Sequence, residues 1–344
     1  MKSPAQPKPE TSDLEAARAG DEGAFERLVE PYRGELQAHA YRMLGSAHDA
    51  EDALQETLLR AWRGLDRFEG RSTLRAWLYR IATNASLRAI ERRPKRLLPV
   101  DYGPAGDPHD GLEAPLAESV WVDPYPDQAI EEVRLSPDAR YEQRESVELA
   151  FIAALQHLPA RQRAVLLLRD VLGFQPAEIA DMLDSSPASV YSALQRAHAT
   201  IDQRLPEASQ QETLRAIDDQ RLREVVERFV AAWEANDVDG LVAMLTEDAA
   251  ISMPPRPSWY RGREAIAAFL AATPMSAGER WRLVPVAANG QPAFAMYGLE
   301  DDGFWRPHAI QAITLDADAR ITGMTAFLEP ASFRHFGLPD DLPR

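Results

Sequence analysis

The stretch FEGRSTLRAWLYRIATNASLRAIERR, residues 68–93, decides how the first part of this chain folds. Gly70-Arg71-Ser72 predicts a turn, and Ser72 or Thr73 offers the side-chain oxygen that caps the start of a helix. The apolar residues that follow recur at helical spacing, at Leu74, Leu78, Ile81 and Ala85. The stretch therefore predicts an amphipathic helix over about residues 73–93.

Beside that apolar stripe runs a line of side chains whose chemistry suits nucleic acid. Trp77, Asn84 and Arg88 are spaced i, i+7 and i+11, so they share one narrow sector of the helix, and Arg80 lies next to it. An aromatic ring stacks on bases, an amide hydrogen-bonds a base edge, and guanidinium groups neutralise phosphates. A single helical tryptophan is more often part of a core, so the combination favours nucleic acid and Trp77 alone does not.

The charge of the chain is unevenly distributed. The formal net charge is −16, yet residues 60–96 hold eleven Arg or Lys against three Asp or Glu, a local charge of +8. Residues 97–150 hold thirteen acids against three arginines, a local charge of −10. A basic patch on an acidic chain predicts a local site for a polyanion, although the same charges also fit a solvated basic helix face.

Length and composition exclude several classes of protein. At 344 residues the chain suits two or three domains, and 45% apolar residues are enough to build buried cores. The absence of cysteine excludes a disulfide framework, a thiolate metal site and a cysteine nucleophile. The sequence contains no apolar run of about 18 residues and no signal peptide, so we expect a cytoplasmic protein.

Composition divides the chain into successive segments. Eight prolines among many acids between residues 94 and 140 exclude long helices and central strands there, which predicts a linker. The predicted segments are a disordered tail (1–12), a helical domain (13–96), an acidic Pro-rich linker (97–140), a helical domain (141–206), an α+β domain (207–335) and a tail (336–344).

A helix around residues 50–65 has two different faces. Its apolar face predicts burial in its own domain and consists of Leu54, Leu58, Ala61, Trp62 and Leu65. Its opposite face, here called the acidic ridge, consists of Asp52, Gln55, Glu56, Leu59 and Arg63. Periodicity alone favours an ordinary amphipathic helix.

A helix-turn-helix is predicted over residues 176–201. A short helix over Pro176–Leu183 is followed by a turn at Asp184-Ser185, and Ser186 caps a second helix. The exposed face of the second helix consists of Ser189, Ser192, Gln195 and Arg196. Small polar residues with one Gln and one Arg suit the major groove of DNA. A plain helical hairpin remains open, because the turn lacks the usual glycine and the exposed face has few basic residues.

Taken in order, these segments resemble the sigma-70 family of RNA polymerase sigma factors, of the extracytoplasmic-function type, over about residues 13–205. The residues that carry the resemblance are Ala24–Val29 with Tyr32, Asp49–Thr57, Phe68 with Gly70–Asn84, Leu158-Pro159, Gln162-Arg163, Gly173-Phe174, Glu178–Ala180 and Val190–Arg196. The resemblance implies two all-α domains, no catalysis and no cofactor. The implied partners are core RNA polymerase, through its beta-prime clamp helices and beta subunit, and promoter DNA.

The resemblance also implies residue roles. The acidic ridge matches the segment that docks on the beta-prime clamp helices, and Ser189, Ser192, Gln195 and Arg196 match the part that binds the minus-35 element as duplex. The helix over 73–93 matches the part that binds the minus-10 element as unwound single strand. The implied minus-10 residues, here called the basic strip, are Arg75, Trp77, Arg80, Asn84 and Arg88. The sequence departs from the family at Tyr191, Ala193 and His198, where basic residues commonly stand.

The linker has two interpretations. An acidic linker can occupy a positively charged polymerase channel, as sigma linkers are thought to do, or it can be a solvated spacer. Within it, Trp121–Asp127 is too aromatic for an inert tether. This segment resembles one found in sigma factors with C-terminal extensions, and we expect it to pack on a neighbouring domain.

The last 138 residues predict an α+β cone. We expect one long helix over Thr213–Glu234, a strand over Ala249–Met253, a helix opening at Trp259–Ile266, a hairpin at Asn289-Gly290 and two further strands. The segment resembles the SnoaL-like (nuclear-transport-factor-2-like) superfamily, in the combination found in sigma-G-type factors, which implies a regulatory domain. A candidate pocket would be lined by Trp259, Trp281, Phe294, Tyr297 and Trp305.

The mode of action and the function of this last domain each have an alternative. It would act by docking on the sigma domains or by binding a small ligand, and an anti-sigma partner is a further candidate. The alternative function is a small-molecule isomerase or hydrolase with a helical N-terminal half. That chemistry needs a carboxylate base opposite a tyrosine or a protonated acid in an apolar pocket. The candidates, which show no decisive spacing, are Tyr260, Tyr297, His308, Asp237 and Glu300.

Overall fold

The computed structural model of the chain describes residues 9–93, 95–117, 120–131 and 146–343. Its first helices are α1 (Pro9–Arg18), α2 (Glu22–Val29), α3 (Arg33–Leu44), α4 (Ala47–Gly64) and α5 (Leu74–Glu91). The predicted helix over 73–93 is confirmed as α5, and Thr73 caps it by accepting a hydrogen bond from the Ala76 N–H. Helix α1 corrects one expectation, because it begins at Pro9 inside the stretch expected to be disordered. Residues 1–8 of that stretch lie outside the described residues.

The described part of the linker is packed against the rest of the protein. It contains two short helices, α6 (Pro99–Tyr102) and α7 (Gln128–Glu131). Trp121, Val122 and Tyr125 are each at most 2% exposed, which confirms that this aromatic segment packs on neighbouring domains. Upstream, backbone hydrogen bonds from Gly106 and Leu116 reach the carbonyls of Trp259 and Pro255. The described linker is therefore not a solvated spacer, and residues 132–140 lie outside the description.

The second helical segment contains the predicted helix-turn-helix. Its helices are α8 (Leu149–Gln156), α9 (Ala160–Leu166), α10 (Pro176–Met182) and α11 (Pro187–Ile201). Ser186 caps α11 by accepting a hydrogen bond from the Ser189 N–H, as its position predicts. Ile179 of α10 and Val190 and Ala197 of α11 are at most 1% exposed, so the two helices share an apolar seam. Residues 141–145 of the predicted domain lie outside the description.

The last segment is a mixed sheet with helices on one side. Its elements are α12 (Gln210–Ala216), α13 (Asp219–Glu234), α14 (Val238–Val242), β1 (Leu245–Ser252), β2 (Trp259–Arg261), α15 (Arg263–Ala272), β3 (Trp281–Ala288), β4 (Gln291–Leu299), β5 (Trp305–Leu315) and β6 (Ile321–Phe327). The strand order is β2-β1-β6-β5-β4-β3, with β1 parallel to β6 and all other pairs antiparallel. The predicted hairpin at Asn289-Gly290 is confirmed.

Two local expectations for this segment are wrong. The predicted single helix over Thr213–Glu234 breaks at Ile217, because Asp218 accepts a hydrogen bond from the Arg221 N–H and so caps a new helix. Trp259–Arg261 is a strand paired with β1, and the helix starts at Arg263 after Gly262, whose φ is +88°. A positive φ suits glycine and turns the chain between the two elements.

The sheet has an apolar core on each face. One face packs on α13 and α15 and buries Phe229, Phe294 and Ile313. The other face, with Ala288, Ala295 and Ile310, is continuous with the core of both helical domains. Burial of apolar area is the main stabilising contribution in such contacts. The last segment is therefore packed onto the helical domains through one shared core.

Candidate nucleic-acid interface

The acidic ridge on α4 is open to solvent. Asp52, Gln55, Leu59 and Arg63 are exposed, and Glu56 is half-buried beside Arg60. Leu59 stands out because 43% of this large apolar residue is exposed. The opposite face of α4 buries Leu54 and Ala61, and Leu65 directly after the helix is buried too, as the apolar spacing predicts. The ridge thus presents an acidic surface with an apolar centre, the composition that suits a partner protein.

The basic strip lies on α5, and its first member is held between the two helical domains. The Arg75 guanidinium pairs with Glu35 at 3.0 Å and donates to the Leu172 carbonyl oxygen at 3.4 Å. It also lies over the rings of Tyr79 and Phe174, with its central carbon 4.9 and 5.0 Å from their centroids. Arg75 is therefore engaged by the protein itself in this arrangement.

The middle of the strip is covered by the turn of the helix-turn-helix. Arg80 pairs with Asp184 at 2.9 Å, and the Asn84 amide donates to the Met182 carbonyl oxygen at 3.4 Å. Trp77 packs against Phe68, with ring centroids 5.1 Å apart. Arg88, at the far end, is half-buried, and burial followed by the charge of Arg60 lowers its pKa. The end of α10 and the turn that follows it thus contact two of the five strip residues, Arg80 and Asn84.

A cavity of about 650 Å³ lies between residues 67–80 of the first helical domain and residues 178–185 of the helix-turn-helix. Its charged lining consists of Arg67, Glu69, Arg71 and Arg80 on one side, where Arg71 pairs with Glu69, and of Glu178, Asp181 and Asp184 on the other. Carboxylates therefore face the guanidinium groups that would otherwise meet phosphates. Because exposed charges attract over roughly 10 Å in moderate salt, the acidic turn lowers the positive potential of the strip.

The recognition face of α11 is open. Ser189, Ser192, Gln195 and Arg196 are all exposed, and the Arg196 guanidinium donates to the Ser192 hydroxyl at 2.8 Å. Tyr191, which stands at a position where the family commonly has a basic residue, is 61% exposed. The structure places the four predicted minus-35 residues side by side on one helix face, with a tyrosine beside them.

One residue that sequence analysis missed joins four segments of the chain. Asn289, at the β3–β4 turn, is fully buried and donates to the Tyr41 hydroxyl at 2.7 Å and the Val147 carbonyl oxygen at 2.8 Å. Its side-chain oxygen accepts a hydrogen bond from the Tyr125 N–H at 2.9 Å. Next to it, the Gly290 N–H donates to Asp127. The hairpin tip therefore connects the first helical domain, the linker and the second helical domain.

The five aromatic residues of the predicted pocket are not brought together, which corrects that expectation. Phe294 and Trp281 lie in the core against α13, where Phe294 stacks on Phe229. Tyr297 and Trp305 belong to the core on the other face of the sheet. Trp259 donates its indole N–H to the Gly103 carbonyl oxygen. Strand residues alternate between faces, so aromatic residues on one strand need not meet.

The candidate groups of the alternative enzyme serve structural roles. Asp237 caps α14 through the Gly240 N–H, and the Tyr297 hydroxyl donates to the Pro339 carbonyl oxygen. His308 is exposed and packs its ring against Trp281. Burial raises the pKa of Tyr260, which packs on Phe269. Across the described ranges, no group of three or more His, Asp or Glu is placed to hold a metal ion.

Comparisons with protein families agree with this division of the chain. Residues 28–96 match the family described as Sigma-70 region 2, and residues 148–201 match Sigma-70, region 4. Residues 226–324 match the SnoaL-like domain. In the part of the chain that the structure describes, no helix combines the length and apolarity needed to cross a membrane.

Individual relatives extend the likeness along most of the chain. The ECF RNA polymerase sigma factor SigG of Mycobacterium tuberculosis is 45% identical over 322 residues, which cover 93% of this chain and 85% of the relative. The RNA polymerase sigma-H factor of Pseudomonas aeruginosa is 29% identical over 192 residues, covering 56% of this chain and 91% of the relative. The crystal structure of M. tuberculosis SigJ has a TM-score of 0.54 at 22% identity, covers 96% and 99% of the two chains, and shares the fold.

Proposed function

This chain belongs to the extracytoplasmic-function family of RNA polymerase sigma factors. We propose which of its surfaces acts in each step of transcription initiation. A sigma factor binds core RNA polymerase and promoter DNA and starts transcription. In this proposal the acidic ridge docks on the beta-prime clamp helices. The basic strip binds the unwound minus-10 strand, and Ser189, Ser192, Gln195 and Arg196 of α11 bind the minus-35 duplex. Its place of action is the cytoplasm, where core polymerase and promoter DNA meet.

The observation that carries the assignment is the strip itself. Trp77, Asn84 and Arg88 lie along one side of α5, in the segment with a local charge of +8. Opening a promoter costs a few kcal/mol for each unstacked base. Stacking on an aromatic side chain recovers about 1–3 kcal/mol per base, and arginines neutralise the phosphates. A basic helix that carries a tryptophan provides both contributions.

The SnoaL-like domain has a regulatory role in this proposal and no catalytic one. Asp237 caps a helix, Tyr260 packs in a core and Tyr297 bonds to backbone, so these groups do not converge on one reacting atom. Its hairpin tip, by contrast, contacts both helical domains through Asn289. Support for regulation therefore comes from the contacts between the domains.

Regulation would act on promoter binding more than on polymerase binding. In the arrangement of the structure, here called the closed arrangement, the two helical domains are packed together and the acidic ridge is exposed. Arg80 and Asn84 of the basic strip then contact the helix-turn-helix. Core polymerase can thus reach its site first, and the strip becomes available when the two helical domains separate. The Asn289 contacts hold those domains together and so favour the closed arrangement.

Co-purification with bacterial core polymerase tests the assignment. The full chain should form a stable complex with core at modest ionic strength, and the affinity of that complex for promoter DNA should fall steeply with salt. Failure to associate with core would contradict the proposal and favour the small-molecule enzyme. Removal of residues 207–344 should change run-off transcription, and identical run-off from both chains would contradict regulation by this domain.

A further inference from the structure

A cavity of about 370 Å³ lies where the first and second helical domains meet. Its walls come from the end of α5, the segment that follows α5, and the turn between α8 and α9. The ionisable side chains in its lining are Arg93, Lys95, Arg96, His157, Arg163 and a single acid, Asp49. The volume lies in the usual range for small-molecule sites.

The carboxylates near this cavity are shared among several cations. Asp49, whose side chain is 2% exposed, contacts both Arg93 and Arg96. Asp123 lies 3.4 Å from Arg96. Asp101 lies 3.5 Å from His157 and 3.8 Å from Arg204. Among the described residues, three carboxylates therefore lie near five Arg and Lys side chains once Lys95 and Arg163 are included.

Arg163 is the most deeply buried of the cations without a carboxylate partner. The residue is 4% exposed, and its guanidinium donates to uncharged oxygens of Met43, Gln156 and Leu158. Its Nε has no hydrogen-bond partner among the described residues. Burial lowers the pKa of Arg163 to about 10. A buried charge without a counter-charge is costly, so an anion in the adjoining cavity would be stabilised.

Lys95, which also lines the cavity, likewise has no carboxylate partner among the described residues. Its ammonium lies 2.8 Å from Nδ1 of His157, a neutral acceptor when the ring is unprotonated. Burial, followed by the charge of Arg204, lowers the pKa of Lys95. Burial, followed by the charge of Lys95, lowers the pKa of His157. Both shifts are in the direction that burial and a neighbouring positive charge produce.

We propose that this cavity binds a small molecule through a phosphate group, with Lys95 and Arg163 as the principal cations. Lys95 belongs to the first helical domain and Arg163 to the second, so the complete site exists only while the two domains are packed together. A ligand that binds one conformation stabilises it by RT ln(1 + [L]/Kd). The phosphate would therefore favour the closed arrangement, a consequence that rests on the proposed function.

Isothermal titration of the full-length free protein with inorganic phosphate and with pyrophosphate tests the site directly, with chloride at equal ionic strength as the reference. Lys95→Ala removes an exposed cation from the lining, and Arg92→Ala removes the same charge from a neighbouring exposed position outside it. We expect saturable binding of at least one of the two anions. Its affinity should be at least tenfold weaker in Lys95→Ala and unchanged in Arg92→Ala. Equal affinity in all three proteins, or no binding beyond chloride, overturns the proposal.

A second measurement separates the site from its proposed consequence. Binding of a labelled single-stranded oligonucleotide to the free protein should be several-fold weaker in phosphate than in chloride of equal ionic strength. Lys95→Ala should abolish that difference. If Lys95→Ala weakens oligonucleotide binding and leaves phosphate binding intact, the cavity serves the DNA backbone and the proposal is wrong. Because the titration needs no polymerase, its result stands whether or not the chain initiates transcription.

Discussion

The side-chain amide of Asn289 donates a hydrogen bond to the Tyr41 hydroxyl across 2.7 Å, and both side chains are fully buried. Asn289 lies in the SnoaL-like domain and Tyr41 in α3 of region 2. The ring of Tyr41 in turn stacks on Tyr125 of the linker, with centroids 4.3 Å apart. The hydrogen bond therefore joins two domains through side chains that are 248 residues apart in the chain.

Asn289→Ala should open the closed arrangement. The substitution removes the bonds to Tyr41, Val147 and Tyr125, and each buried group left unpaired costs about 1–3 kcal/mol. Small-angle scattering of the free protein should show a larger radius of gyration, and amide exchange in 121–127 should accelerate.

Asn236→Ala is the matched control for that experiment. Asn236 also has a positive φ, +53° against +55° for Asn289, and donates one hydrogen bond, to the Glu279 carbonyl oxygen within the SnoaL-like domain. The backbone strain introduced by alanine is therefore comparable in the two variants. An unchanged radius for Asn289→Ala, or equal expansion of both variants, would refute the role of the hairpin.

Asp184→Asn should strengthen binding of single-stranded DNA by the free protein. The variant removes the carboxylate that pairs with Arg80 and retains a side chain that tolerates the φ of +47° at this turn. The pair is exposed and contributes roughly 0–1 kcal/mol, so the gain in affinity should be at most about fivefold. Fluorescence anisotropy measures it, with the exposed Asp202→Asn as control. A gain shared by the control would show a general charge effect only.

Leu59→Ala should weaken association with core polymerase by about tenfold. Burial of each methylene contributes about 0.8 kcal/mol, and the substitution removes several from the centre of the acidic ridge. Affinity for labelled core measures the effect. Val100→Ala trims another exposed apolar residue, 41% exposed and outside the ridge, and should bind as the parent does. Unaltered affinity of Leu59→Ala would place the docking surface elsewhere.

His39 should make the protein less stable in mild acid. Burial, followed by the charges of Arg42 and Arg75, lowers the pKa of His39 from 6.5 to about 3. Between these values the unfolded chain binds a proton that the folded chain does not, so the free energy of unfolding falls as pH falls. The loss between pH 7 and pH 5 is about 2 kcal/mol from this group.

Urea unfolding at the two pH values measures that loss. In His39→Gln, which keeps a polar partner near the Thr83 hydroxyl, the pH-dependent difference should shrink by about 2 kcal/mol relative to the parent. An identical difference in both proteins would mean that His39 titrates normally in the folded state.

Local signals in the sequence predict the helices and the hairpin well. Thr73 and Ser186 occupy cap positions directly before periodic apolar residues, and Asn289-Gly290 separates two alternating runs. The break at Ile217 was not predicted, because the capping oxygen of Asp218 competes with an apolar period that continues across it.

The packing of the domains could not be predicted in the same way. Arg80 and Asp184 are 104 residues apart and form an exposed pair whose small energy leaves no pattern in the sequence. Asn289 is an ordinary hairpin residue until its buried partners are known. The sequence did indicate that Trp121–Asp127 is buried, because this segment is rich in aromatic residues. It did not indicate which residues the segment packs against.

We propose that this sigma factor has the closed arrangement when it is free and that its two helical domains separate when core polymerase binds. Because the sequence contains no cysteine, single cysteines at the exposed positions Glu22 and Asp202 can carry a donor and an acceptor dye on the first and second helical domains. We expect efficient energy transfer in the free protein and a marked loss of transfer when core polymerase is added. Transfer that stays the same with core bound would contradict this proposal.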